Sequence, residues 1–267
     1  MNTYFGFKHA QMPFTQEIKT QDMIPTFDSK EAEARLSYLK QHRGIMRLTG
    51  EPGSGKTSML RKWVDTLNPQ SFLHCYTPHA TISKSDVYRQ INSLLNLPTK
   101  SRKSDLYKQV QAAIWAQYTQ AGKVTCLIFD ECQMMDHTTL QEFIPLTNFM
   151  MDSKLPFILL LVGQPELLDK LNRSIHEPLR QRIHIHYHMA GLDASEVKTY
   201  VEGQLAHVGR KDPLFDETSF LVMHELSKGL PRKINSLATT AMKMAMLEKK
   251  QIINGDLILK IAPEALS

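Results

Sequence analysis

The sequence predicts an α/β fold, a parallel sheet with crossover helices followed by a small all-helical domain, and three observations carry that prediction. From residue 45 onward, apolar runs of strand length alternate with longer helical patterns, as strands joined by crossover helices do. A glycine-rich GxxxxGK[ST] segment stands directly after the first of these runs and before a helical pattern. After Gly191 the strand signals vanish and only helical patterns remain.

Each element follows from local pattern. Residues 1–30 carry Pro13 and Pro25 among aromatic and polar residues with no sustained period, and read as an irregular arm. Residues 31–40 read as a helix. The strands are expected at 45–48, 72–76, 124–129, 157–162 and 183–187. Between them, 58–67 forms a helix, Leu106, Val110 and Ile114 recur at helical spacing, and Leu140, Ile144 and the neighbourhood of Phe149 suggest another helix before Pro156. Beyond Gly191, residues 197–208, 217–227 and 231–249 read as helices punctuated by Gly209, Pro213 and Gly229. The expected organisation is therefore an arm over 1–30, an α/β nucleotide-binding domain over 31–190 and a helical lid domain over 191–267.

Composition bounds the function. A chain of 267 residues with 42% hydrophobic and 22% charged residues is neither fibrous nor disordered. Lys and Arg number 32 against 27 Asp and Glu, a net charge of +5 that permits an anionic partner without demanding one. The longest apolar stretch, Phe157 to Val162, falls far short of the roughly 18 residues of a membrane span. Residues 1–19 hold no continuous apolar segment, so no secretory signal is expected and the cytoplasm is the expected compartment. Cys75, Cys126 and Cys132 are odd in number and lack CxxC spacing, which reads as reduced structural thiols.

The chemistry concentrates in Gly50-Glu51-Pro52-Gly53-Ser54-Gly55-Lys56-Thr57, followed by Ser58. Glycines at 50, 53 and 55 let the backbone curl so that N–H groups and a helix N-terminus point at phosphates. Lys56 would neutralise the β and γ phosphates of ATP, and Thr57 would place its hydroxyl on Mg2+. The run 124–129 ends in Asp130-Glu131, the form of a Walker B element, in which Asp130 holds Mg2+ and Glu131 orients the attacking water. Gln164 ends the next strand, as a γ-phosphate sensor or as a simple strand-end cap. Arg180 and Arg182 precede the last strand; either is a surface ion-pair former or an arginine acting on a neighbouring subunit's nucleotide, with Arg182 the better candidate. Arg232, one residue after Pro231, lies in the first turn of a helix, where it opposes the dipole and would reach a bound γ-phosphate.

These residues resemble an AAA+ ATPase, and more narrowly the ExeA-like group and its relatives, the TnsC, TniB and MuB type of transposition regulators. The resemblance covers most of the chain: Tyr4-Phe5-Gly6-Phe7, Pro13-Phe14, the phosphate loop, Phe129-Asp130-Glu131-Cys132-Gln133, Val162-Gly163-Gln164-Pro165-Glu166-Leu167 and Gly229-Leu230-Pro231-Arg232-Lys233-Ile234-Asn235. It implies that Lys56, Thr57 and Asp130 serve nucleotide and Mg2+, that Glu131 is the catalytic carboxylate, that Gln164 and Arg232 are the two sensors and that Arg182 is the trans arginine. Cys132 stands where small apolar residues are usual, and the Arg180-Gln181-Arg182 run leaves two candidates for the finger. The resemblance also implies homo-oligomeric rings or filaments on double-stranded DNA, with a transposase and a target-selection protein as partners. Secretion-associated members carry a membrane span and a wall-binding region after the ATPase; this sequence ends at Ser267 with neither, which favours the transposition branch. The competing expectation is an ATPase that assembles a secretion or envelope complex without touching DNA.

The resemblance further implies that two segments face DNA, residues 76–84 and 99–103, where Lys84, Thr99, Lys100, Arg102 and Lys103 supply cations and hydroxyls for phosphate contact without base reading. A short basic run is equally a solvated loop. His184, His186 and His188 share one strand face at a spacing that would suit zinc, but with no fourth ligand evident they read as packing or interface histidines. Met242, Met244, Met246, Trp63 and Trp115 read as helix packing. Phe5, Phe7 and Phe14 either wall the adenine or anchor a core.

Overall fold

The apolar runs form one five-stranded sheet among the described residues, with β1 (Gly44–Gly50), β2 (Phe72–Thr77), β3 (Val124–Phe129), β4 (Phe157–Gly163) and β5 (Ile183–Met189) in the order β2-β3-β4-β1-β5. In this computed structural model those residues are 5–7, 12–15, 18–78 and 84–266. The pairings β2–β3, β3–β4 and β4–β1 are parallel, with Phe72 opposite Val124, Thr125 opposite Phe157 and Gly44 opposite Ile158. Every residue of β4 is buried, which explains why its sequence is a continuous apolar run rather than an alternation.

The chain divides into two compact units. One comprises Ala32–Gly50 and Met59–His188, the other Met1–Glu31, Glu51–Ser58 and Met189–Ser267.

In the sheet-bearing unit, parallel strands require crossovers. These use α2 (Lys56–Asp65, from Met59 onward), α3 (Lys84–Leu94), α4 (Lys103–Thr119), α5 (His137–Gln141), α6 (Phe143–Leu146), α7 (Glu166–Leu171) and α8 (Glu177–Arg180), while α1 (Phe27–His42, from Ala32 onward) precedes β1. Leu106, Val110 and Ile114 of α4 are fully buried with Val87, Tyr88 and Ile91 of α3 in one core that includes Leu127, Phe129, Leu159 and Leu161 of the sheet. Helix α3 was not expected from the pattern; it is an amphipathic stretch whose apolar face is the short set Val87, Tyr88 and Ile91. The helix expected through Leu140, Ile144 and Phe149 is corrected to the two short helices α5 and α6. Pro145 lies inside α6, has no N–H to continue the hydrogen-bond ladder, and Phe149 instead bridges to Lys154. Between those two, Met150, Met151 and Asp152 all take left-handed backbone, with φ of 50°, 54° and 66°, so the chain reverses sharply.

The other unit holds α9 (Ala194–His207), α10 (Glu217–Ser227), α11 (Pro231–Leu247) and α12 (Gly255–Ala265). Asp193 opens α9 with a capping box completed by Glu196, and Asn254 caps α12 through its side chain. Helix α12 was also absent from the expectation, although Leu257, Ile258 and Ile261 bury one face of it. Phe5, Phe7 and Phe14 enter the same core as Leu192, Val201, Phe215, Met242 and Ile258, with the Phe14 ring edge-on to Phe215 at 6.5 Å. Of their two expected roles, the structure gives them core anchoring. Met242 is fully buried here.

All three cysteines are free and buried. No helix among the described residues is long and apolar enough to cross a membrane.

Candidate nucleotide site

Strand β1 ends at Gly50, and the glycine-rich turn leads into the first turn of α2. Gly53 and Gly55 adopt φ of +84° and +99°, a region closed to most L-residues, so the loop takes a curled shape that suits successive N–H groups converging on an anion. Lys56 is 6% exposed, and its Nζ donates to the Glu51 carbonyl at 3.0 Å, which holds the ammonium across the loop. Ser54 Oγ is buried without a hydrogen-bond partner, an unspent hydroxyl in the turn. Glu51, Pro52, Thr57 and Ser58 are exposed. Curled backbone, ammonium, hydroxyls and a helix N-terminus form a donor set that fits the phosphates of ATP.

Within the same unit, α11 begins against this loop. The Arg232 N–H donates to the Gly53 carbonyl at 3.3 Å, and a Cβ placed on Gly53 would lie 2.6 Å from the Arg232 Cβ. Arg232 is exposed, so its guanidinium springs from a backbone already seated on the turn.

The carboxylates belong to the sheet-bearing unit. Asp130 follows the last residue of β3 and is 2% exposed; its Oδ2 accepts from the Tyr76 hydroxyl at 3.0 Å and its Oδ1 from the Glu131 N–H at 2.9 Å. Burial first, then the negative charges of Asp130 and Glu131, push the Tyr76 hydroxyl well above its ordinary value, so it remains a donor. Glu131 has φ 57° and ψ 35°, left-handed backbone at a non-glycine residue, a kind of strain that clusters at functional sites. Its Oε2 accepts from Gln133 Nε2 at 2.5 Å and from Gln164 Nε2 at 3.3 Å. Parallel pairing of β3 with β4 delivers Gln164 to the strand end that carries Asp130 and Glu131. Asp130, Glu131 and Gln164 are thus brought together as the motifs suggested, with Tyr76 and Gln133 beside them. Neither of those two had been given a role in the site, although Gln133 stands two positions after Glu131.

Other expected residues have partners of their own. Arg182 Nη2 pairs with Asp152 Oδ2 at 2.6 Å, and its Nη1 donates to the Pro178 carbonyl. Arg180 donates to the Asn172 carbonyl at 3.1 Å, closing the end of α7. Lys103 pairs with Glu142 at 2.5 Å and lies over the Tyr88 ring, whereas Lys84, Thr99, Lys100 and Arg102 are exposed. Tyr76 and Thr77 of the first DNA segment belong to β2; its residues 79–83 lie outside the described residues, as does Tyr4 of the N-terminal motif. His184, His186 and His188 are exposed on β5, and His188 Nδ1 is 3.2 Å from Thr49 Oγ1.

Residues 39–171 match the model of an AAA domain. The chain is an ATPase with an AAA domain. The ATPase is similar to General secretion pathway protein A of Aeromonas hydrophila, 30% identical over 260 residues that make up 96% of this chain and 47% of the relative, so it spans about half that relative's length. Among solved structures it is similar to the Aeropyrum pernix ORC2 protein in its ADPNP-ADP complexes, with a TM-score of 0.66 and 17% identity over 94% of this chain and 71% of the other. It is also similar to the Aeropyrum pernix ORC1 protein in complex with DNA, with a TM-score of 0.61 and 12% identity over 93% and 68% of the two chains. These likenesses show that the sheet and its helical companion form an AAA+ fold.

Proposed function

We propose that this ATPase binds duplex DNA without sequence preference in its ATP-bound form, oligomerises on it as a ring or filament, and regulates transposition by recruiting or activating a transposase. Hydrolysis then drives disassembly. The loop Gly50–Ser58 and Lys56 hold the phosphates. Thr57 and Asp130 hold Mg2+, which when bound neutralises phosphate charge. Glu131 orients water for attack on the γ-phosphorus and takes its proton as the bond to the β-phosphate oxygen breaks, while Gln164 and Arg232 sense the γ-phosphate. Arg182 serves a neighbouring subunit's nucleotide by exchanging its Asp152 partner for phosphate.

The observation that carries the DNA reading is the exposed set Lys84, Thr99, Lys100 and Arg102, cations and a hydroxyl of the kind that contacts phosphate without reading bases. That a protein of the same fold has been solved in complex with DNA supports it. A second reading, assembly of a secretion or envelope complex with no DNA role, is favoured by the 30% identity to General secretion pathway protein A over 96% of the chain.

Fluorescence anisotropy of a random-sequence duplex with a slowly hydrolysed ATP analogue separates the two. The DNA reading expects binding that needs the analogue, is lost in Lys56→Ala and weakens at least about tenfold between roughly 50 and 200 mM salt. Failure to bind at low salt sinks it in favour of the second.

A further inference from the structure

The carboxylate cluster contains a buried amide that the hydrolysis scheme does not use. Gln133 lies in the 3-10 turn Cys132–Met134 and is 9% exposed. Its Oε1 accepts from the Gln164 backbone N–H at 3.0 Å. A peptide N–H only donates, so this contact fixes which end of the amide faces β4. The Nε2 end must therefore face Glu131, where it donates to Oε2 at 2.5 Å. Gly163 makes the approach possible, since a Cβ there would lie 2.8 Å from Gln133 Oε1. The turn is anchored from behind, because Lys170 Nζ donates to the carbonyls of both Gln133 and Met135.

We propose that Gln133 is a positioning residue for ATP hydrolysis: its amide, locked by the Gln164 peptide, aims the Glu131 carboxylate by occupying Oε2 and leaves Oε1 to take the proton of the attacking water. The inference rests on the reading of Glu131 as the lytic carboxylate and Gln164 as the sensor. It adds that the two are linked through one side chain, so the same amide that orients the carboxylate is registered to the backbone of the sensor. Glu131 itself sits in left-handed backbone, and Gln133 holds its carboxylate through Oε2.

Gln133→Glu tests this because it keeps the shape and the oxygen that accepts from the Gln164 N–H, and replaces only the donor. Two carboxylates then face each other and take up one shared proton as the pH falls, which restores an O–H donor to Glu131. Steady-state ATPase assays on the full chain between about pH 6 and pH 8.5 are compared for wild type, Gln133→Glu, Gln133→Leu and Glu131→Gln, with thermal melts and a fluorescent ATP analogue reporting folding and binding.

The expected result is a kcat lower by about 10- to 100-fold for Gln133→Glu at the alkaline end, with KM for ATP within about twofold of wild type. That deficit shrinks toward the acidic end, and Gln133→Leu shows the loss without the recovery. If Gln133→Glu matches wild type at every pH while Glu131→Gln abolishes turnover, Gln133 is only a brace and the proposal falls with the Glu131 reading intact. A deficit that sits in KM rather than kcat overturns it as well. Wild-type turnover by Glu131→Gln removes the Glu131 reading itself and the proposal with it. Should Gln133→Leu fail to fold, the pH profile of Gln133→Glu decides.

Discussion

At Gly53 a single hydrogen atom in place of a methyl group decides whether the phosphate loop can exist beside α11. The residue combines φ of +84° with a Cβ position 2.6 Å from the Arg232 Cβ, so Gly53→Ala meets two costs at once, a left-handed backbone of about 1–2 kcal/mol and a clash that must displace the start of α11. The expected outcome is at least a tenfold loss of ATP affinity together with lower stability, read by fluorescent-nucleotide titration and urea unfolding. The cysteines offer a second test at this scale. Burial pushes the Cys75 thiol up to about 11 and the Cys126 thiol up to about 12, and burial likewise raises that of Cys132. Thiolate is the reactive form, so at about pH 8 an aromatic disulfide reagent should label none of the three in the native protein and all three in denaturant. Fast labelling of any one in the folded protein contradicts the burial described.

Among elements, the N-terminal arm is the clearest case of irregular sequence with a structural task. Phe5 is 1% exposed in the core of the helical unit, and Phe5→Ala should cost about 3–5 kcal/mol, measured as a fall in the urea midpoint. An arm that only covered a ligand would leave that midpoint unchanged in the absence of nucleotide. A titratable pair ties α5 to the 3-10 turn Ser174–His176. Arg173 only donates, so at 2.9 Å it makes His137 Nε2 an acceptor; His137 Nδ1–H then donates to His176 Nε2 at 2.7 Å, and the His176 proton sits on Nδ1, which is buried without a partner. Burial first, then the positive neighbours, holds His176 below the ordinary histidine value. The unfolded chain therefore takes up the proton first as acid is added, and stability present above the ordinary histidine value is lost as the pH falls through it. Urea midpoints should decline between about pH 7.5 and pH 5.5, and His176→Gln should flatten that decline.

For the whole molecule, the proposed DNA contact draws on surface charge that pairing has partly consumed. Lys103 was expected to contact DNA together with Lys100 and Arg102, but it is neutralised by Glu142. If the DNA reading holds, Lys100→Ala and Arg102→Ala should each reduce the slope of log K against log salt by about 1 per binding subunit, and Lys103→Ala should change it less. Equal effects of all three would mean that the Lys103–Glu142 pair opens on DNA. The two compact units are discontinuous in sequence, and the phosphate loop groups with the C-terminal helices while Asp130 and Glu131 group with the sheet. No reading of contiguous segments anticipates that division, because a chain can leave a unit and return to it.

Strands, phosphate loop and carboxylate pair were legible because each depends on residues that are neighbours in the chain: a continuous apolar run for a strand buried on both faces, glycines spaced for a tight turn, two acids at a strand end. Helix α3 and helix α12 escaped because a single short apolar face is a weak periodic signal, and the expected helix through Phe149 failed at Pro145, where a missing N–H outweighed the period. What only the tertiary structure decided are the pairs between distant residues. Tyr76 meets Asp130 across 54 positions, Gln164 meets Gln133 across 31, and Asp152 captures Arg182 across 30. Strand register and crossovers set such meetings, and both are properties of the folded sheet that no local spacing encodes.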